Sequence, residues 1–223
     1  MQKISLYDMD RTITVRGTYT PFLFHMVLAR QPWRLVLLPL LPFGFIAYGL
    51  RLINRCQLKT FNQWMLLGNG PKLDDLQPEI ERFADNVLRS NRHQKALDQI
   101  ETDRVAGRTL VLVTASYELY AEAIGRRLHF DHVVGTRLEI DDEGRVRPRI
   151  LGGNCYDNAK IGRIEELFAK QGWQRADSHV RAYSDHASDQ AMLEFADEAI
   201  ATTPTSKMRL LAGQRGWPIV DWR

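Results

Sequence analysis

Three short, largely apolar runs, Ile4 to Tyr7, Thr109 to Val113 and Val180 to Tyr183, each end in a cluster of polar residues, and helix-patterned stretches separate them. A run of four or five such residues without regular polar alternation is a strand covered on both faces. Strands of that kind alternating with helices build a parallel sheet, whose ligands bind outside the carboxyl ends of the strands. The expected fold is therefore α/β, a doubly wound, Rossmann-like parallel sheet. The three exits carry Asp8 and Asp10, then Thr114-Ala115-Ser116, then Asp185 and Asp189. Asp8 and Asp10 are two residues apart and face the same way if the extended backbone continues. One acid of such a pair is able to attack or bind metal and the other to move a proton. An isolated Asp-x-Asp at a strand exit is more often an ordinary solvated turn, so the remaining exits decide its meaning.

The alternation is interrupted between about residues 15 and 90, which reads as a helical cap inserted after the first strand, leaving 1–14 and 91–223 as the core. Thr20 is a candidate N-cap with Pro21 at the first helical position, and Gln31-Pro32 stops that helix. Leu35 to Leu50 then runs sixteen residues without a charge, broken by Pro39, Pro42, Gly44 and Gly49. A membrane-spanning helix wants about 20 apolar residues, and both flanks here are basic, so a simple span is not expected. Two readings stay open for residues 35–50: a hairpin buried within the cap, or a segment dipping into one leaflet with arginines at the headgroups.

Charge separates the insertion from the rest. Between Asp10 and Asp74 there is no acid, while eight basic residues from Arg11 to Lys72 lie there; subtracting them from the net charge of +3 leaves −5 elsewhere. Such asymmetry points to an anionic partner for the basic segment. A nucleic acid is not expected, because no recognisable binding motif accompanies the charges and it would leave the uncharged run unexplained. Cys56 and Cys155 are far apart and lack metal-site spacing, and His129 with His132 does not make a zinc site. A reducing cytoplasm is expected, with Lys3, Asp8, Asp10 and Arg11 lying where a secretory signal needs its apolar region.

Downstream, Asp74 to Gly107 is charged and helical, Tyr117 to Leu128 is a helix, and Val133-Val134 and Arg137 to Ile140 are strand-like before a turn at Asp141-Asp142-Glu143-Gly144. Lys160 opens a helix to Gln171 ended by Gly172, Ala199 to Ala201 is a last short strand, and the tail holds a helix and Trp217-Pro218-Ile219-Val220. In order, then, the chain carries Asp-x-Asp-x-Thr at 8–12, Thr114 after an apolar strand, Lys160, and Asp-x-x-x-Asp at 185–189. This series resembles the four signatures of the haloacid dehalogenase superfamily of phosphatases, over residues 4 to 189. A cap between the first and second signatures and the Lys-headed helix are similar to its phosphoserine phosphatase branch, subfamily IB. The run from Arg30 through Pro42, with the basic segment after it, resembles the cap of the haloacid dehalogenase type of phosphatidylglycerophosphatase.

The resemblance implies roles. Asp8 would be the nucleophile that becomes an aspartyl phosphate, Asp10 the general acid and base, Thr114 and Ser116 phosphate ligands, and Lys160 a cation offsetting charge on nucleophile and phosphoryl group. Asp8, Asp185 and the Asp10 backbone carbonyl would hold Mg²⁺, with Asp189 supporting waters or Lys160. Arg11, Ser184 and His186 depart from the family pattern without removing a catalytic atom. The implied function is Mg²⁺-dependent phosphomonoester hydrolysis. Its substrate would be a lipid phosphate such as phosphatidylglycerol phosphate, met by a cap on the inner membrane face, or a soluble phosphomonoester of the phosphoserine type. The absence of an acid from residues 11–73 disfavours an amino-acid substrate, whose ammonium wants one.

Overall fold

The computed structural model describes all 223 residues. Seven strands form one sheet in the order β4-β3-β2-β1-β5-β6-β7. They are β1 (Gln2–Asp8), β2 (Thr109–Tyr117), β3 (His132–Ile140), β4 (Val146–Leu151), β5 (Ser178–Ser184), β6 (Glu198–Thr202) and β7 (Ile219–Val220). Every pairing is parallel except that of β3 with β4, an edge hairpin through the predicted 141–144 turn. The two strand-like pieces at 133–134 and 137–140 are one strand, and Ile219-Val220 adds an edge strand too short to be read from its pattern.

Chain order reverses across β1, which lies between β2 and β5, so the crevice where α/β sheets bind ligands opens at its carboxyl end. Register then sets which residues meet there. Asp8 is level with Val113, and Tyr7 with Tyr183, so Asp8, Thr114 and Asp185 leave the sheet side by side. Alternation along β1 sends Ile4 and Leu6 to one face and Ser5 and Tyr7 to the other.

Between β1 and β2 lie α1 (Tyr19–Arg30), α2 (Leu41–Gly49), α3 (Arg55–Leu67), α4 (Leu73–Ser90) and α5 (Gln94–Val105); after β2 come α6 (Glu118–Arg127), α7 (Asn158–Gln171), α8 (Gln190–Phe195) and α9 (Ser206–Arg215). The Tyr7 face of the sheet is covered by Phe22, Met65, Ile80, Ile100 and Tyr120, and the Ile4 face by Ile164, Met192 and Met208. α1 starts two residues earlier than its Thr20-Pro21 signal suggests, with Thr18 in the cap position and its hydroxyl bound to Asp10.

The apolar run folds as a tight helical turn series over Pro32–Leu40 that leads into α2. Of the window Pro32–Gly49 only 6 % is buried, which removes the buried-hairpin reading. Leu35, Leu37, Leu38 and Leu41 lean on the core, while Trp33, Val36, Phe43, Ile46 and Leu50 are each more than half exposed.

Candidate active site

β1 delivers Asp8, and the chain then makes one wide turn over Met9–Ile13, in which Arg11 takes a left-handed φ of 66°. A non-glycine residue there is uncommon; here the turn is closed by Thr14 N donating to Met9 O at 3.0 Å and Arg11 N donating to Thr14 Oγ1 at 3.2 Å. The turn swings Asp10 toward β2. Its Oδ1 accepts from Thr18 N and Thr18 Oγ1, both at 2.7 Å, and its Oδ2 from Ser116 Oγ at 2.6 Å.

Asp8 is held from two sides. Lys160 Nζ, from the first turn of α7, lies 2.7 Å from Asp8 Oδ1 and 2.9 Å from Asp189 Oδ1. Thr12 Oγ1 is 3.2 Å from Asp8 Oδ2 and 3.4 Å from Asp185 Oδ1, and accepts from Asp185 N at 3.1 Å. Asp189 is itself fixed by Ser184 Oγ at 2.7 Å. All four titratable groups are buried. Burial pushes the Asp8 carboxyl well above its usual range, with the Asp189 and Asp185 carboxylates adding to the shift against Lys160. Asp185 is pushed up to about 6 by burial and then by Asp189. Burial works against the Lys160 ammonium, yet Asp189 and Asp8 keep it protonated well above the ordinary lysine range.

Asp8, Asp10, Lys160, Asp185 and Asp189 line one cavity of about 370 Å³. Thr114 and Ser116 are buried behind it, and Ala115 forms the wall between them. The Ser116 hydroxyl, expected at a phosphate, donates to Asp10 instead. Thr114 Oγ1 accepts from Ser116 N at 3.0 Å.

Three buried acids, Asp8, Asp185 and Asp189, share one buried ammonium. That excess of negative charge on oxygen donors suits a hard divalent cation. No three His, Cys, Asp or Glu side chains converge as a ready ligand set, and the Asp10 carboxylate is turned to Thr18 and Ser116.

Several residues at the site carry no signal in the sequence. Arg55 opens α3, where Asn54 and Gln57 form a reciprocal capping box, and its guanidinium lies 3.8 Å above the Tyr156 ring at the cavity. Lys59, one turn on, is buried and lowered to about 8 by desolvation and then by Arg55. Thr18 has no motif around it and is found only through its bonds to Asp10.

A parallel sheet with paired acids, a buried lysine and a third acidic exit at its switch point defines a hydrolase of the haloacid dehalogenase class. The chain belongs to the haloacid dehalogenase-like hydrolase family, whose model matches residues 6–194. It is 31 % identical over 192 residues to protein CicA of Caulobacter vibrioides, covering 86 % of this chain and 82 % of that one. It is 34 % identical over 144 residues to the phosphoserine phosphatase SerB1 of Mycobacterium tuberculosis, covering 64 % of this chain and 44 % of that one. A protein of unknown function from Bordetella pertussis has the same fold with a TM-score of 0.85, at 25 % identity and full coverage of both chains. Within the family, the chain is a phosphoric monoester hydrolase.

Proposed function

We propose that the chain hydrolyses phosphomonoesters in two displacements at Asp8, on a lipid phosphate presented at a membrane surface. The observation that carries the chemistry is the pairing of a buried nucleophile, held by Lys160 and Thr12, with a second acid, Asp10, held by three donors on the same cavity. An Asp8 oxygen attacks phosphorus and the bond to the leaving oxygen breaks, with Asp10 giving its proton to the departing alkoxide. Water then attacks the aspartyl phosphate, Asp10 takes its proton, and the phosphorus–Asp8 bond breaks to release phosphate. Lys160 stays protonated throughout and balances charge on Asp8. The Thr114 hydroxyl proton has no acceptor within the protein and is free for a phosphoryl oxygen. Mg²⁺ held by Asp8, Asp185 and the Asp10 carbonyl would neutralise charge on the phosphoryl group.

The lipid reading rests on the segment 15–90, taken as the cap. A helix that is apolar all round belongs in a core or in lipid, and α2 is exposed. Phe43 and Ile46 of α2, with Trp33, Val36 and Leu50 on either side of it, are exposed, and Arg51 and Arg55 follow in the chain for anionic headgroups, while Arg30 is paired with Asp75 and Arg34 donates to the Trp64 and Met65 carbonyls. Arg55 belongs both to that basic fringe and to the cavity wall. The acids lining the cavity are Asp8, Asp10, Asp185 and Asp189, each already assigned, so none is left to meet a substrate ammonium. The name of the Mycobacterium relative favours phosphoserine as the second reading. Mg²⁺-dependent phosphate release from phosphatidylglycerol phosphate, phosphoserine and other small phosphomonoesters separates the two: preference for the lipid supports the first, and turnover of phosphoserine alone overturns it.

A further inference from the structure

A buried lysine ordinarily finds a carboxylate, because an isolated buried charge is costly. Lys59 has none. Its Nζ donates to the Ala115 carbonyl and to Asn154 Oδ1, both at 2.6 Å, and lies 5.0 Å from the ring centre of Tyr19 and 5.5 Å from that of Tyr117. Only 6 % of it is exposed. Both acceptors are also within reach of Thr136 Oγ1, at 2.7 Å and 2.9 Å, yet a hydroxyl has a single proton to give. Without Lys59, one of these two acceptors, the buried Asn154 side chain or the half-buried Ala115 carbonyl, loses its protein donor.

Ala115 lies in the stretch of β2 where pairing with β3 shifts register between Val113 and Tyr117. The ladder does not fix its backbone there as it does in a regular strand. This irregular stretch also carries Ser116, whose hydroxyl meets Asp10 Oδ2. We infer that Lys59 is a positioning residue for the general acid: by fixing the Ala115 carbonyl it holds Ser116 where its hydroxyl aims the Asp10 carboxyl at the cavity. The inference rests on the assignment of Asp10 as acid. It ties the orientation of that acid to α3, an element inserted between β1 and β2, so the acid is correctly aimed only while α3 is docked on the sheet edge.

The test is a double-mutant cycle on purified full-length protein with Mg²⁺, using an alkyl phosphomonoester and p-nitrophenyl phosphate, whose leaving group needs little protonation. Lys59→Met and Ser116→Ala are each expected to lower the pre-steady-state rate of phosphoryl transfer from the alkyl ester by about tenfold, with the burst rate of p-nitrophenol release changed less than about threefold. The double variant should be no slower than the slower single, because both act through one contact. Lys59→Gln, which keeps a donor on a shorter arm, should recover part of the alkyl rate; if thermal unfolding shows Lys59→Met misfolded, the cycle is run with Lys59→Gln, whose smaller selective loss must vanish in the Ser116→Ala background. Asp10→Asn is measured alongside. Equal losses in that first, phosphorylation step on both substrates in Asp10→Asn overturn the acid assignment. A selective loss there, with losses in Lys59→Met that are equal on both substrates or additive with Ser116→Ala, overturns the role of Lys59.

Discussion

Lys160 Nζ lies 2.7 Å from Asp8 Oδ1, across 152 residues of chain, with both side chains out of solvent. The ammonium is the only cation in contact with Asp8, the proposed nucleophile, and it reaches Asp189 as well. Removing it in Lys160→Met leaves two buried carboxylates unpaired, which costs about 3–5 kcal/mol of stability at neutral pH. Phosphatase activity should fall by at least about 10². Thermal unfolding and phosphate release check both, and a variant with wild-type stability and rate would remove Lys160 from the site.

Asp185 yields a pH prediction. Its folded value of about 6 lies above the ordinary carboxylate value of 3.8. Protonation therefore favours the folded state: the contribution is complete below about pH 4 and is lost as pH rises through about 6. Without divalent metal, wild type should lose stability relative to Asp185→Asn between pH 4 and 7. Added Mg²⁺ should reverse this loss in wild type only. Parallel melting curves for the two proteins across that range would contradict the assignment.

On the far side of β1, Asp103 of α5 accepts from Ser5 Oγ at 2.6 Å, Tyr7 OH at 2.8 Å, Tyr183 OH at 3.2 Å and the Arg181 guanidinium at 2.8 Å. It ties α5 to β1 and β5, the strands that carry Asp8 and Asp185. Asp103→Leu strands three hydroxyls and leaves the Arg181 guanidinium only its pair with Glu198, and should cost about 3–5 kcal/mol. Chemical denaturation measures it; a loss below about 1 kcal/mol would show that the network does not brace the sheet.

What was legible in the sequence followed from strand physics. Asp8, Thr114 and Asp185 stand at the exits of buried parallel runs, and register in such a sheet brings exits together, so their convergence follows from the pattern. Lys59 and Asp103 were not legible. Each is a charged residue on a helix, where periodicity reads a solvated face, and each is buried by tertiary partners distant in the chain: Ala115 and Asn154 for one, Tyr7 and Tyr183 for the other. Residues 35–50 divided for the same reason, since the tight helical turns over Pro32–Leu40 do not follow the 3.6-residue repeat, and only the fold shows that Leu37 and Leu38 lean inward while Trp33 and Val36 face out.

That division sets the membrane test. Wild-type protein is expected to co-sediment with anionic vesicles, more weakly at high salt but still detectably, because apolar anchoring is not screened. Replacing the outward residues Trp33, Val36, Phe43 and Ile46 with Ser should abolish binding while leaving the melting temperature nearly unchanged. Wild-type protein that stays in the supernatant with every vesicle would refute lipid contact and favour a soluble substrate.

The covalent step at Asp8 is tested most directly by acid-quenching the enzyme during turnover of a ³²P-labelled phosphomonoester with Mg²⁺ and measuring label on protein. An aspartyl-phosphate pathway gives acid-stable, hydroxylamine-labile label on wild type and none on Asp8→Asn, which is expected to fold and to be inactive. Label of equal amount on Asp8→Asn, or wild-type turnover by that variant, would contradict it.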